Sequence, residues 1–344
     1  MQKPVLVIKL GTAVITGNNG KIDEAVIKKL AEEIAHLSKT SNTVLVSSGA
    51  VASGKAFIKN YKGTLIERKA AAAVGNPILI QLYHRYFSAF GITVAQALCE
   101  RHHFSGRSQF LQLKETFTEF WKNDILPVVN ENDLVSNVEL KFSDNDELSA
   151  LVAIGFDAET LIVCTSAGGF FNEKKQIIPV VDSIDNTILA FVNAEKSTLG
   201  LGGMVSKLTF TKLATSLGIK VVMTGLSGEK PLIAALSGKQ GTTFTPQKSN
   251  LRARKKWLAS GSITIGTLQV DKGAEKALLN RKSLLAVGIR NVKGTFSAGE
   301  VVQLINEEET IIGVAKVKLD ALQMIGQISK KNAIAAHSDD IVMF

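Results

Sequence analysis

Two short runs of carboxylate and carboxamide side chains, Asn130-Glu131-Asn132-Asp133 and Asp144-Asn145-Asp146-Glu147, carry the densest chemistry in the chain. The first follows an apolar, β-branched run, Ile125 to Val129, with the length of a buried strand. The second opens an apolar-periodic segment, Leu148 to Ile154, that predicts a helix. In open α/β sheets, ligands sit where the carboxyl ends of strands meet loops and helix starts, so two such clusters there point to a polar ligand. Part of the second cluster also has a local use. Asp144 stands at an N-cap position with Glu147 three residues on, a capping-box spacing, and an acidic side chain suits a helix start. That local use leaves Asn-Glu-Asn-Asp behind the strand unexplained, because a plain turn would suffice there.

Three further stretches could meet an anion. Lys9 leaves the carboxyl end of the apolar run Val5 to Ile8, so its ammonium either snorkels to solvent or is aimed at an anionic ligand. Ser47-Ser48-Gly49-Ala50 follows a second strand, Thr43 to Val46. Small residues at such a junction either let backbone amides approach an anion or serve a tight turn. Gly200-Leu-Gly-Gly-Met-Val-Ser-Lys207 is glycine-rich and runs into an amphipathic helix, Leu208 to Leu217. It is neither a Walker loop, which requires Gly-Lys-Ser/Thr at its end, nor a dinucleotide fingerprint, which requires a strand just before it and Gly in place of Val205. A flexible or close-approach loop remains, with Lys207 on the following helix and near enough to reach a phosphate.

The elements that must position these groups alternate. Helices are predicted over Asp23 to Leu37, over Leu65 to Phe90 with a break at Gly75-Asn76-Pro77, and over Phe104 to Lys122. Strands are predicted at Gly91 to Cys99, Thr160 to Cys164 and Lys220 to Thr224. This alternation argues for an α/β domain with an open, mostly parallel sheet sandwiched by helices. Beyond Gly238 to Ser262, short strand-like pieces (Ile263 to Ile265, Leu284 to Ala286, Val301 to Ile305, Ile311 to Val317) surround one helix near Ala274 to Leu279 and read as a small β-rich barrel. The expected boundaries are a catalytic domain over 1–250, a linker at about 251–261 and a second domain over 262–344.

Composition narrows the class. The chain has 344 residues, 45% hydrophobic and 21% charged, with a net charge of +9; this is enough for two domains with substantial cores. The positive charge permits contact with phosphates or nucleic acid without requiring it. The basic run Arg252 to Lys256 reads as a solvated junction. Cys99 and Cys164, both in apolar surroundings, read as buried thiols, and the five histidines form no zinc motif. No apolar run approaches the ~20 residues needed to span a bilayer, and the N-terminal segment reads as a first strand of a cytoplasmic protein.

Four features now stand in order: VIKLGT with Lys9, SSGA with Ser48, NEND followed by SDNDELSA, and GLGGMVSK with Lys207. Together they resemble the amino acid kinase family, in its branch acting on the side-chain carboxylate of glutamate. The tail (VDKGAEKALL, SLLAVGIRNVKGTFSAGEVV and the final HSDD) is similar to the PUA domain that many bacterial members carry. The resemblance implies the amino acid kinase fold plus a PUA barrel. It also implies transfer of phosphate from ATP, with Mg2+ held mainly by the ATP phosphates, to give glutamyl 5-phosphate, the first intermediate towards proline. Lys9 and Lys207 would touch the transferring group, and Asp146 would orient both amines. Glutamate would be held by Ser48, Gly49, Asp133 and Asn145, with Asn130 and Asp144 close by. ATP would meet Lys9, Thr165, Ser166, Leu201, Gly202, Gly203, Met204 and Lys207.

A carboxylate nucleophile is already ionised at neutral pH, so no general base is needed and the lack of a catalytic histidine is consistent. The resemblance further implies a homo-oligomer and a downstream glutamyl phosphate reductase as partner, with no membrane association. This chain departs from the family pattern at Ser166, where Asp is usual, at Leu201, where Thr is usual, and at Asn76, where Gln is usual. The last lies near the region linked with proline feedback in the family. Two other readings differ in chemistry. One is another amino acid kinase, acting on N-acetylglutamate or aspartate, against which Asp133 discriminates because an acetylated amine has no charge to pair with it. The other is RNA binding through the PUA tail, suggested by its excess of Lys and Arg.

Overall fold

The computed structural model describes residues 3–343 except for 18, 101, 106, 135–143, 186–187, 189–190, 192–201, 248–265, 297 and 329–332. The chain divides into two compact units, residues 1–100 with 113–249, and residues 101–112 with 250–344. The expected linker, the basic run and the strand at Ile263 to Ile265 lie outside the described residues.

In chain order the first 249 residues give β1 (Val5–Leu10), α1 (Thr12–Ile15), α2 (Glu24–Ser38), β2 (Asn42–Ser47), α3 (Ala50–Gly54), α4 (Leu65–Ser88), β3 (Thr93–Cys99), α5 (His102–Ser105), α6 (Arg107–Lys122) and β4 (Ile125–Glu131). They continue with α7 (Asn145–Gly155), β5 (Thr160–Cys164), β6 (Val180–Val181), α8 (Gly202–Ser216), β7 (Lys220–Thr224), α9 (Pro231–Leu236) and β8 (Thr242–Phe244). The eight strands form one sheet in the order β3-β4-β2-β1-β5-β7-β8-β6, parallel except for the β7–β8 pair. β1 lies inside the sheet, with β2 on one side and β5 on the other. The chain therefore reverses its direction of growth across β1, and that is where ligands collect at the carboxyl edge.

Strand alternation gives β1 two different faces. Leu6, Ile8 and Leu10 join Ile27, Leu30 and Ile34 of α2 and Leu79, Tyr83 and Phe87 of α4 in one buried cluster. Each such aliphatic side chain contributes about 1.5–3 kcal/mol by leaving water. Val7 and Lys9 take the opposite face, against which α7 packs. The helices start where local chemistry says they should. Asp23 caps α2 by accepting from the amides of Ala25 and Val26, and Thr64 with Glu67 forms a capping box on α4.

Two elements differ from expectation. The predicted break at Gly75-Asn76-Pro77 is absent: α4 runs through Pro77 without interruption. Its glycine serves packing. A Cβ on Gly75 would run into the Ala50 carbonyl, and one on Gly54 into the Ala71 carbonyl, so α3 and α4 meet backbone to backbone. Pro77 lies in this packed stretch, and the helix accommodates it despite the local cost of about 3 kcal/mol for an interior proline. The helix predicted from Leu208 begins earlier, at Gly202, and carries Lys207 as expected.

The C-terminal stretch is β-rich, as expected. β9 (Gly266–Val270), α10 (Lys272–Leu279), β10 (Leu284–Leu285), β11 (Ile289–Gly294), β12 (Val301–Ile305), β13 (Ile311–Lys316), α11 (Ala321–Ile325), β14 (Ile334–Ala336) and β15 (Ile341–Met343) follow one another. They form a five-stranded sheet, β11-β9-β12-β13-β15, and a two-stranded one, β10-β14. Leu268, Leu278, Val302, Leu304 and Met324 fill this unit's own core. Among the described residues of the chain, no helix is long and apolar enough to cross a membrane.

Candidate active site

Lys9 is the penultimate residue of β1 and only 4% exposed. Its Nζ lies 2.5 Å from Asp146 Oδ1, while Lys207 Nζ, from the second turn of α8, lies 2.8 Å from Asp146 Oδ2. The Lys207 contact is a well-formed hydrogen bond; the Lys9 contact is a close ion pair in which Oδ1 receives no directed hydrogen bond. The carboxylate is held at the start of α7, where the preceding Asp144 accepts from the amides of Asp146 and Glu147 at 2.9 and 3.1 Å. The helix dipole favours a negative charge in that first turn. Two ammonium groups thus converge on one carboxylate in a largely buried place, and such groups are charge-assisted donors to anionic oxygens.

On the other side of α7's first turn lies a network of amides. Successive helical residues diverge by about 100°, so Asp146 faces β1 and α8 while Asn145 faces β2 and β4. Asn145 Nδ2 donates to Ser48 Oγ at 2.8 Å, Asn130 Oδ1 at 3.2 Å and the Ser47 carbonyl at 3.3 Å. Asn130, at the end of β4, donates through Nδ2 to Asn76 Oδ1 of α4 at 3.1 Å. Gly49 sits between Ser48 and α3 with φ of 105°, a left-handed conformation in which a Cβ would meet Ile15 and Ile22.

The remaining expected residues spread along the same edge of the sheet. Asp133 lies two residues past β4 and is half-buried. Asp144 is the N-cap of α7. Thr165 ends the β5 side, its amide donating to the Thr224 carbonyl at 2.8 Å, and Ser166 beside it is exposed. Gly202 and Gly203 are the first residues of α8, and Met204 is half-buried in the same turn. Leu201 lies outside the described residues. The structure thus brings Lys9, Asp146 and Lys207 together, and separately Ser48, Asn130 and Asn145.

Sequence reasoning missed Asn76 as a member of the amide network; the polar residue inside the α4 glycine-proline stretch was the only signal. Cys164, next to Lys9 in the fold, is no nucleophile. Burial pushes its thiol up to about 12, against a smaller downward pull from the Lys9 charge. Burial likewise puts Cys99 at about 12. Among the described residues no group of three or more His, Cys, Asp or Glu side chains could hold a metal ion. A cavity of about 660 Å³ opens at the amino ends of β2 and β4, lined by residues such as His36, Trp121 and Ile125. It shares no residue with the clusters above, and the chemistry lies with the clusters.

Residues 4–225 match the family described as "Amino acid kinase family". The chain belongs to the amino acid kinase family. Residues 266–337 match the PUA domain. Full-length relatives of this amino acid kinase are named glutamate 5-kinase. That of Cronobacter sakazakii is 37% identical over 98% of this chain and 98% of its own length. That of Haemophilus influenzae is 35% identical over 100% of both chains, and that of Aliivibrio salmonicida is 34% identical over 99% of both. Among solved structures, carbamate kinase from Giardia lamblia bound to AMP-PNP superposes with a TM-score of 0.51 at 18% identity, covering 71% of this chain and 99% of that one. UMP kinase from Ureaplasma parvum gives 0.50 at 14%, covering 71% and 100%. These two likenesses establish the amino acid kinase fold of the first unit. As a member of this family the chain is an ATP-using phosphotransferase.

Proposed function

We propose that the chain transfers the γ-phosphoryl group of ATP to the side-chain carboxylate of L-glutamate, as the first committed step towards proline. The observation that carries this reading is the pair of lysines, almost two hundred residues apart in sequence, that meet on Asp146. The relatives at 34–37% identity that share the full length are named for the same reaction.

In the proposed reaction a carboxylate oxygen of glutamate attacks the γ-phosphorus, and the bond from that phosphorus to the β,γ-bridging oxygen breaks. Glutamyl 5-phosphate forms and ADP leaves with the bond's electron pair. The nucleophile carries its charge already, so the chain needs no base. Its work is alignment and stabilisation of negative charge that spreads over the phosphoryl oxygens. Lys9 from β1 and Lys207 from α8 supply that stabilisation from two directions, and Asp146 fixes where their ammonium groups stand. Ser48, Gly49, Asn130 and Asn145 hold glutamate on the β2 and β4 side, with Asp133 paired to its α-ammonium and Asp144 setting the first turn of α7. Thr165, Ser166, Leu201, Gly202, Gly203 and Met204 border the nucleotide. Mg2+ would be held mainly by the ATP phosphates.

The test is ADP release with ATP, Mg2+ and L-glutamate, with the acyl phosphate trapped by hydroxylamine. Absence of glutamate-dependent hydroxamate defeats the proposal, and faster turnover of N-acetylglutamate or aspartate in the same panel reassigns the substrate. RNA binding by the C-terminal unit is not needed for this function. Over 266–343 its single Phe, Tyr or Trp is Phe296, which is buried.

A further inference from the structure

We infer that Asn76 is a positioning residue for the acceptor substrate: from α4 it fixes which way the carboxamides of Asn130 and Asn145 face. This rests on the glutamate kinase reading and extends it to a residue outside the pocket's own loops. The polarity of the relay follows from backbone groups, whose donor or acceptor character is beyond choice. The Glu131 amide donates to the carboxamide of Asn130 at 2.9 Å, so the atom it meets must be Oδ1. Nδ2 of Asn130 is then the end turned to α4, and the atom of Asn76 that receives it, at 3.1 Å, must be an oxygen. At the other end Asn145 meets the Ser47 carbonyl, an acceptor, so Nδ2 is the atom committed to protein. Its hydrogens are shared with Ser48 Oγ and Asn130 Oδ1. Asn145 is left to present Oδ1, an acceptor suited to an ammonium or another N–H donor of the substrate.

Asn76 is only 8% exposed and Asn130 6%. An Asn130 Nδ2 stripped of its partner has no easy substitute in water, and the carboxamide turns or shifts to find one. The depth at which α4 delivers Asn76 is fixed by its neighbour Gly75, pressed against the Ala50 carbonyl of α3. Seven residues along the same face, Tyr83 meets Ser47 Oγ at 2.6 Å. Ser47 Oγ spends its own proton on the Ser48 carbonyl at 2.9 Å, which makes the tyrosine hydroxyl the donor to Ser47. One helix thereby sets the ends of both β2 and β4, the two segments that carry the acceptor-binding residues.

The test is steady-state kinetics on the full chain with Asn76→Leu, Asn76→Ala and Asn76→Gln beside the unaltered protein. The loss of one buried acceptor is expected to raise KM for glutamate roughly tenfold in Asn76→Leu, leaving KM for ATP within about threefold. Asn76→Gln keeps the carboxamide and is expected to stay within about threefold of the parent. Asn76→Ala serves if the leucine variant does not fold. An unchanged glutamate KM, a parallel rise in both KM values, or a glutamine variant as impaired as the others overturns the inference. If the unaltered chain phosphorylates another carboxylate of the panel, the substrate assignment fails by itself and the same KM comparison is made on that carboxylate. If it phosphorylates none, both fall.

Discussion

Replacing Lys207 by alanine isolates one arm of the charge cluster. Lys207 Nζ sits 2.8 Å from Asp146 Oδ2, with its side chain 16% exposed. Truncation removes one of the two ammonium groups that converge on Asp146, so a transferring phosphoryl group loses one of its two lysine contacts. Losing one preorganised contact of this kind removes about 3 kcal/mol of transition-state stabilisation. At about 1.36 kcal/mol per tenfold, kcat falls roughly 150-fold. The glutamate side is built from Ser48 just past β2, Asn130 on β4 and Asn145 on the opposite side of α7, so KM for glutamate should move by less than about threefold. Hydroxamate formation under saturating ATP, followed over a glutamate titration, separates the two parameters. A kcat within threefold of the parent would show that Lys207 does not face the reacting group. A loss confined to glutamate KM would place it in the wrong half of the site.

Two predictions concern the scaffold. Glu33 of α2 is buried, accepts from the amides of Leu232 and Ile233, and leaves Oε1 without a partner. Burial raises its carboxyl above the ordinary 4.5, against smaller downward pulls from those two amides and the Lys29 charge. The folded chain therefore holds this proton to higher pH than the unfolded chain does. The stability from this group is complete below the unfolded value and is lost as pH rises through the folded one. Melting curves of the parent and Glu33→Gln at about pH 4 and pH 7 should show the parent gaining relative to the variant on acidification; a gap that stays constant or widens the other way refutes the assignment. Gly75→Ala should lower the melting temperature of the first unit, even though alanine is the better helix former, because its Cβ would meet the Ala50 carbonyl. Overpacking of this kind costs about 1–3 kcal/mol, or roughly 2–10 °C in a domain of this size. An unchanged or raised melting temperature contradicts the close contact of α3 and α4.

Much of this protein could be read from residues alone, for local reasons. The apolar runs of β1, β2, β4 and β5 declare strands buried on both faces, and Asp23 and Asp144 mark helix starts that depend only on neighbouring amides. Lys9, Asp146 and Lys207 were legible as candidates, although a lysine ending an apolar strand and an acidic helix start each have a local use as well, and their joint role followed from the family resemblance. Whether Lys9 met an anion or solvent was not legible. That depended on the parallel order of β2, β1 and β5, which places it under α7. Local reasoning failed at Gly75 to Pro77, where it predicted a break. The close approach of Gly75 to Ala50 is between residues some twenty-five apart, a tertiary contact that the local turn signal of glycine and proline does not display. The direction of the Asn76, Asn130 and Asn145 carboxamides was equally invisible. It is set by the Glu131 amide and the Ser47 carbonyl, groups every residue carries, and only their arrangement in space gives them meaning.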